Sequence, residues 1–459
     1  MSDVLTASQL LVAFRERRLS PVEVLEALLP GIEADAFNAF SRVDSEGALA
    51  QAGASEERWQ RGAPVGALDG VPVAIKDAFP ARGWPTRRGS RAIDAAGPWD
   101  EDASAVAALR RNGAVLPVQT TSPEFGWKGV TDSPLYGVTR NPWDPATTPG
   151  GSSGGSAAAL AAGLVPLALG SDGAGSIRIP CGFSGLPGLK PTFGRVPLWP
   201  PSAFGTVSHA GPMARTVTDA ALLLDVLCEP DARDWTALPP PAQSFLDGLD
   251  DGIAGTRIAF SPDLGYVTVD PEVAAMVERA ALALADLGAH VERVDPGFED
   301  PRECQETLWW ATCAKLVSDL GDPPADVFDP GFAKAAAAGR GIALADYLAA
   351  MTAREALGTH MSRFHSEWDL LVTPTLPIPA FTAGQNVPDG WPDEHWQSWT
   401  PFTYPFNLTQ QPAATVPCGF TAAGLPIGLQ IVGPRHADAQ VLRAARAYEA
   451  AHPQPTHRS

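Results

Sequence analysis

Lysine is scarce in this 459-residue chain: there are only five. Tyrosine, methionine and cysteine also number five each, and histidine eight. With 33 basic against 52 acidic residues and a formal net charge of −19, no Lys/Arg-rich face is available to a phosphate backbone, so nucleic acid is excluded as a partner. The five cysteines, Cys181, Cys228, Cys304, Cys313 and Cys418, are odd in number, and their spacing fits neither a zinc motif nor a disulfide framework. They are expected to be reduced thiols of a cytoplasmic protein. No apolar run reaches the roughly 18 residues of a membrane span; the stretch from Ala157 to Leu169 is broken by Gly163 and Pro166. No positively charged start leading into an apolar segment suggests a secretory signal. A Walker lysine and a dinucleotide-binding glycine pattern are missing as well, which argues against nucleotide binding.

What is present is a chain that is 45% apolar and long enough for a large core. Capping boxes open two helices, at Thr6–Gln9 and Ser20–Glu23. Residues 71–77, 114–119, 164–169, 257–260, 290–294, 370–373, 414–417 and 427–432 read as strands. Helical patterns lie at 102–111, 156–162, about 271–287 and after the cap at Thr216. Short apolar strands alternating with helices predict an α/β layered architecture. Residues from about 230 to 405 read as a more variable, peripheral region, entered through the loop at Pro239–Pro241.

Three segments carry candidate chemistry. Lys76 ends the apolar strand VPVAIK; it is either a strand-end side chain reaching out to water or a buried functional amine. The second segment is PGGSSGGS, residues 149–156, whose glycines permit close backbone approach and which runs straight into a helix. The third is GSDGAGSIRIP, residues 170–180, following a strand. Ser176 on such a turn would be exposed beside backbone N–H groups able to hold an oxyanion. Seen alone, either Gly/Ser loop could equally be an ordinary tight turn.

Taken together in this order, these motifs resemble the amidase signature family. The resemblance extends to LDGVPVAIKD (68–77), TSPEFGW (121–127), YGVTRNP (136–142), GLKPTFGRVP (188–197), TPTLP (373–377) and GLPIGLQ (424–430), and is weakest between about 230 and 370. It implies one domain over residues 1–459, with a catalytic core at 65–215 and a mixed central sheet flanked by helices on both faces. By motif, Ser176 corresponds to the nucleophile, Ser152 to a bridging serine held by a cis peptide bond, and Lys76 to the base. The backbone of Gly173, Ala174, Gly175 and Ser176 would form the oxyanion hole, and Ser153, Asp172 and Arg178 would support it.

No histidine lies in these motifs, so a Ser-His-Asp triad has no local support. Lysine can substitute only when neutral, which requires its ordinary value of about 10.4 to fall by about 3 units; burial has the right sign. No metal or organic cofactor is needed.

Three residues depart from the family pattern: Ala174 and Gln410 stand where glycine is usual, and Cys181 where alanine is usual. Ala174 keeps its N–H, so the oxyanion hole is expected to survive. Cys181 is a weak alternative nucleophile, and Gln410 is expected to alter the substrate pocket. The aromatic-rich segment 381–406 is expected to wall an apolar acyl or aryl pocket. Trp127, Tyr136, Cys181, Trp399 and Phe402 are the expected lining.

The favoured substrates are hydrophobic amides or anilides, with carbamates and esters as related carbonyl chemistry. The alternatives are a glutamine-hydrolysing subunit of a tRNA-dependent amidotransferase and a non-catalytic binding protein on the same fold. The partner expected is a small-molecule amide, with no nucleic acid and no membrane. A homodimer is compatible with the sequence, which does not fix the oligomeric state.

Overall fold

The computed structural model describes residues 5–453 and 455. Its strands are β1 (Phe40–Val43), β2 (Val73–Lys76), β3 (Val118–Thr120), β4 (Asp132–Ser133), β5 (Gly137–Val138), β6 (Leu167–Asp172), β7 (Gly188–Lys190), β8 (His209–Ala214), β9 (Arg257–Phe260), β10 (His290–Arg293), β11 (Leu370–Pro374), β12 (Ala413–Phe420) and β13 (Pro426–Val432). β4 and β5 form a small ribbon; the other eleven make one sheet, ordered β1-β3-β2-β6-β8-β7-β12-β13-β11-β9-β10. The sheet is mixed. β2 runs parallel to both β3 and β6, whereas β6–β8 and β12–β13 are antiparallel.

Alternate residues of each strand supply opposite faces. Val73 and Ile75 of β2, with Leu167 and Leu169 of β6, face a core built with helices 7–15, 104–111, 217–227, 271–286 and 438–451. Ala74 and Ala168, one residue out of phase, face helices 154–161 and 178–184. Further along that second face, Ala259, Leu371 and Val432 pack against helices 302–319, 330–340 and 344–367. The protein is thus a single large α/β domain with helices on both faces of the sheet. β9, β10 and β11 come from the stretch read as peripheral and complete one edge of the sheet.

Both N-terminal capping boxes are present: Thr6 and Ser20 accept from the backbone of Gln9 and Glu23, whose side chains reach back to the cap backbone. Among the described residues, no helix is long and apolar enough to cross a membrane.

The parallel pairing of β2 with β6 positions the site. It brings the C-terminal end of β2, at Lys76, beside the end of β6 and the turn that follows Asp172. Ligands of open α/β sheets bind at such carboxyl ends.

Candidate active site

Burial governs the state of Lys76. Its side chain is 0% exposed, and its Nζ lies 2.7 Å from Ser152 Oγ, 2.9 Å from Ser171 Oγ and 3.1 Å from Ser153 Oγ. Desolvation pulls its pKa down to about 7, against the opposing pull of Asp172 and Asp77. At neutral pH a substantial fraction is therefore free amine. A neutral amine offers two N–H donors and one lone pair, so one of the three hydroxyls can donate to it. Ser153 Oγ has a carbonyl acceptor in Ser171, at 3.2 Å. Ser152 and Ser171 have no acceptor other than the amine among the described residues.

The Gly/Ser loop sits ahead of helix 154–161 because its backbone can press against its neighbours. A Cβ on Gly151 would lie 2.5 Å from the Val130 carbonyl oxygen. The Gly151–Ser152 peptide bond is cis. Ser153 N–H donates to the Ser176 carbonyl at 3.2 Å, joining this loop to the turn after β6.

That turn is held by one carboxylate. Burial alone would raise the pKa of Asp172, but the Arg178 guanidinium in contact with it outweighs burial and holds it well below the usual carboxylate range. Asp172 accepts from Gly175 N–H at 2.7 Å, Ile177 N–H at 3.2 Å and Asn407 at 2.8 Å. Arg178 also donates to the Thr403 carbonyl, Asn407 Oδ1 and Gln430 Oε1, so none of its charge is wasted in the interior. Gly175 has φ +129°, and a Cβ there would meet Thr403 Oγ1 at 2.5 Å, so glycine is required.

Of the four expected oxyanion donors, Gly175 N–H is committed to Asp172. The N–H groups of Gly173, Ala174 and Ser176 have no protein acceptor among the described residues. Ala174 keeps its N–H available, and its carbonyl is fixed by Thr403 Oγ1 at 2.6 Å. Ser176 is 5% exposed, and its hydroxyl has no hydrogen-bond partner among the described residues.

Lys76, Ser152, Ser171, Gly173 and Ser176 open onto one cleft with a free volume of about 90 Å³. Its wall is largely apolar, drawn from Phe79, Phe125, Leu198, Trp199, Phe204 and Trp309. Phe204 stacks on Trp309 with centroids 3.8 Å apart.

The five residues expected to line the pocket lie elsewhere. Trp127 faces a separate cavity of about 680 Å³ beside helix 330–340, and its backbone carbonyl accepts from Trp309 Nε1. Tyr136 donates to Asp77 Oδ2 at 2.9 Å, supporting the loop behind Lys76. Cys181, on helix 178–184, is fully buried in the core, where desolvation pushes its thiol well above the ordinary value, so it is not a reactive thiolate. Trp399 stacks on Phe183, and Phe402 gives its carbonyl to Gln430. Segment 381–406 is therefore largely packing, and its Thr403 braces the turn after β6 through the Ala174 carbonyl. Gln410 lies outside the cleft; its φ is +63°, and it bonds the Thr206 carbonyl just beyond the cleft wall.

Similarity to known proteins agrees with this geometry. The sequence matches the family described as Amidase over residues 23–442. The chain belongs to the amidase family. As a member, it is an amide hydrolase. It is 36% identical to an acylamidase of Rhodococcus erythropolis over 98% of this chain and 96% of that protein. It is 38% identical to a glutamyl-tRNA(Gln) amidotransferase subunit from Myxococcus xanthus over 90% of each. Its fold superposes on a bacterial aryl acylamidase of the amidase signature family with a TM-score of 0.91 and 32% identity, covering 98% of this chain and 97% of the other.

The sequence reading missed several residues of this amidase cleft. Ser171 stands inside a motif already singled out, one residue before Asp172. Arg88, Phe125 and Trp309 lie in separate segments. The run Leu198–Phe204 carried a signal: tryptophan, two prolines and phenylalanine immediately after family-like text.

Proposed function

We propose that the protein hydrolyses hydrophobic or aryl amides and anilides through an acyl-enzyme on Ser176, with carbamates and esters as related substrates. The observation that carries this reading is a buried, readily neutral Lys76 within hydrogen-bond distance of Ser152, in the same cleft as Ser176. Neutral Lys76 takes a proton from Ser152, and Ser152 takes one from Ser176. Ser176 Oγ attacks the amide carbonyl carbon. The N–H groups of Gly173, Ala174 and Ser176 meet the developing oxyanion; each such donor contributes about 3 kcal/mol. As the C–N bond breaks, the proton held by Lys76 passes back through Ser152 to the leaving amine. Water, deprotonated by the same relay, then releases the acid. Ser153, Asp172 and Arg178 orient these groups.

The apolar wall supports hydrophobic acyl or aryl groups, as does similarity to an acylamidase and an aryl acylamidase. A second reading, a glutamine-hydrolysing subunit feeding ammonia to partners, is favoured by the 38% identity to the Myxococcus xanthus protein. The aromatic wall weighs against a small polar substrate.

A fluorophosphonate probe is expected to label the wild type and spare Ser176→Ala. Anilides are expected to be turned over faster than glutamine. No labelling, or glutaminase activity above all arylamide activity, overturns the respective part of the proposal.

A further inference from the structure

Buried and half-buried arginines in this protein are mostly spent on acceptors. Arg178 donates to Asp172, Asn407, Gln430 and the Thr403 carbonyl; Arg354 bonds Thr206 and the Leu408 carbonyl; Arg58 pairs with Asp69. Arg88 is different. It lines the cleft with Lys76, Ser152 and Ser176, yet among the described residues its side chain makes no hydrogen bond and has no carboxylate within ion-pair distance. The charge that acts on it is that of Asp77. That carboxylate is occupied by Tyr136 and Gly89 through Oδ2, and its Oδ1 accepts nothing. Burial also pushes Asp77 up to about 6, which weakens it as a counter-ion under mildly acidic conditions.

The backbone that presents Arg88 is fixed on both sides. Its φ is +53°, its carbonyl accepts Phe125 N–H at 2.7 Å, and the next residue, Gly89, donates to Asp77 at 2.9 Å. Desolvation lowers the guanidinium's pKa from its ordinary value, but an arginine stays charged at neutral pH. The cleft it lines is largely apolar, with Phe79, Pro80, Ala103, Leu198 and Trp199 among its walls. A half-buried guanidinium that shares its cleft with apolar side chains and touches no carboxylate keeps its donors free, and a ligand carboxylate would supply the hydrogen-bonded partner that Asp77, beyond ion-pair distance, does not. The protein's net charge of −19 repels anions at long range, but that field is screened within about 8 Å at physiological salt, leaving the local guanidinium to decide.

We propose that Arg88 reads a carboxylate on the substrate, so that the preferred amides are aryl or acyl amides bearing an anionic group away from the scissile bond. This rests on the amidase reading of the cleft and narrows its substrate class. A planar guanidinium fork suits a carboxylate in two-point contact, whereas a neutral carboxamide offers it one weaker acceptor.

The test measures binding, so it does not need turnover. Calorimetry on the Ser176→Ala protein compares 4-acetamidobenzoate with its neutral isostere, 4-acetamidobenzamide. The carboxylate is expected to bind about 10- to 100-fold more tightly. Adding Arg88→Met should bring the ratio of the two affinities close to one, and Arg88→Lys should keep part of the preference. Equal affinity in the Ser176→Ala protein, no measurable binding of either compound, or a preference that survives Arg88→Met overturns the proposal. Failure of the amidase reading would show separately, as wild-type protein that fluorophosphonate does not label.

Discussion

The floor and the wall of the cleft are built on opposite principles. The floor is polar, buried and over-determined: Asp172 alone gathers Gly175, Ile177, Arg178 and Asn407, and Lys76 sits among three hydroxyls. The wall is largely apolar and assembled from side chains of distant segments, among them Phe125, Trp199, Phe204 and Trp309, with Phe204 stacked on Trp309. Hydrogen-bonded geometry fails when one member is lost, because the remaining charges are stranded. A packed surface loses area in proportion and can re-form around a new shape. On the proposed mechanism the floor fixes the reaction, and the wall is free to change the substrate.

The sharpest break in that comparison is Ser176→Ala. It should lower kcat by about 10⁴-fold or more, and adding Lys76→Ala should cost little further, since residues acting as a unit are not additive. Single-turnover rates on an anilide check this; independent, multiplying losses would contradict the relay.

Next comes Arg178→Met, which strands Asp172 in the interior and should destabilise the protein by about 3–5 kcal/mol in chemical denaturation, as breaking a buried pair does. A loss under about 1 kcal/mol would mean the floor is less tightly determined than its hydrogen bonds suggest.

A third test uses pH. In the proposed relay Lys76 acts as base only when deprotonated, and burial pulls its pKa down to about 7, so kcat/KM should rise about tenfold per pH unit below that value and level off above it. Asp172 and Asp77 are the charges that act on it, and Asp77→Asn should move the inflection to lower pH, because it removes a charge that favours the ammonium form. Glu124 also titrates at about 7, raised by burial, so Glu124→Gln should leave the inflection in place. Loss of the inflection in that variant would reassign it.

The smallest effect belongs to the wall. Trp199→Ala or Phe204→Ala should raise KM for a bulky anilide by about 5- to 30-fold while changing kcat less, the signature of lost uniform binding. A kcat collapse in either variant would make the wall part of the catalytic machinery.

The same division explains what could be read from the sequence. The floor lies in two continuous runs plus one lysine, so residue types and order identify it without coordinates. Wall residues carry no local signature: Trp309 looks like any core aromatic of an amphipathic helix, and only the tertiary fold brings it to Phe204. Among whole elements, eight of the eleven strands of the sheet were legible as short runs bounded by turn residues, whereas β1, β7 and β8 were not read as strands. Helix 45–60 was not, since it buries only Ala48, Ala52 and Ser55 and shows no strong apolar stripe. Helix 344–367 buries Ala350, Arg354, Leu357 and Met361 along a narrow seam, too thin to stand out over its length. Helix 302–319 did carry a readable period in Gln305, Leu308, Trp309, Cys313, Leu316 and Val317. The five expected pocket residues illustrate the limit: aromatic content marks a segment as packed, but not which side of the packing faces the substrate.

The reach of Arg178 has an outcome for how the enzyme comes into being. Its acceptors at Thr403, Asn407 and Gln430 are supplied more than two hundred residues downstream. A nascent chain that has emerged only as far as the serine motifs holds every reactive group and none of these anchors. On the proposed mechanism, hydrolytic competence therefore waits for the last stretch of synthesis.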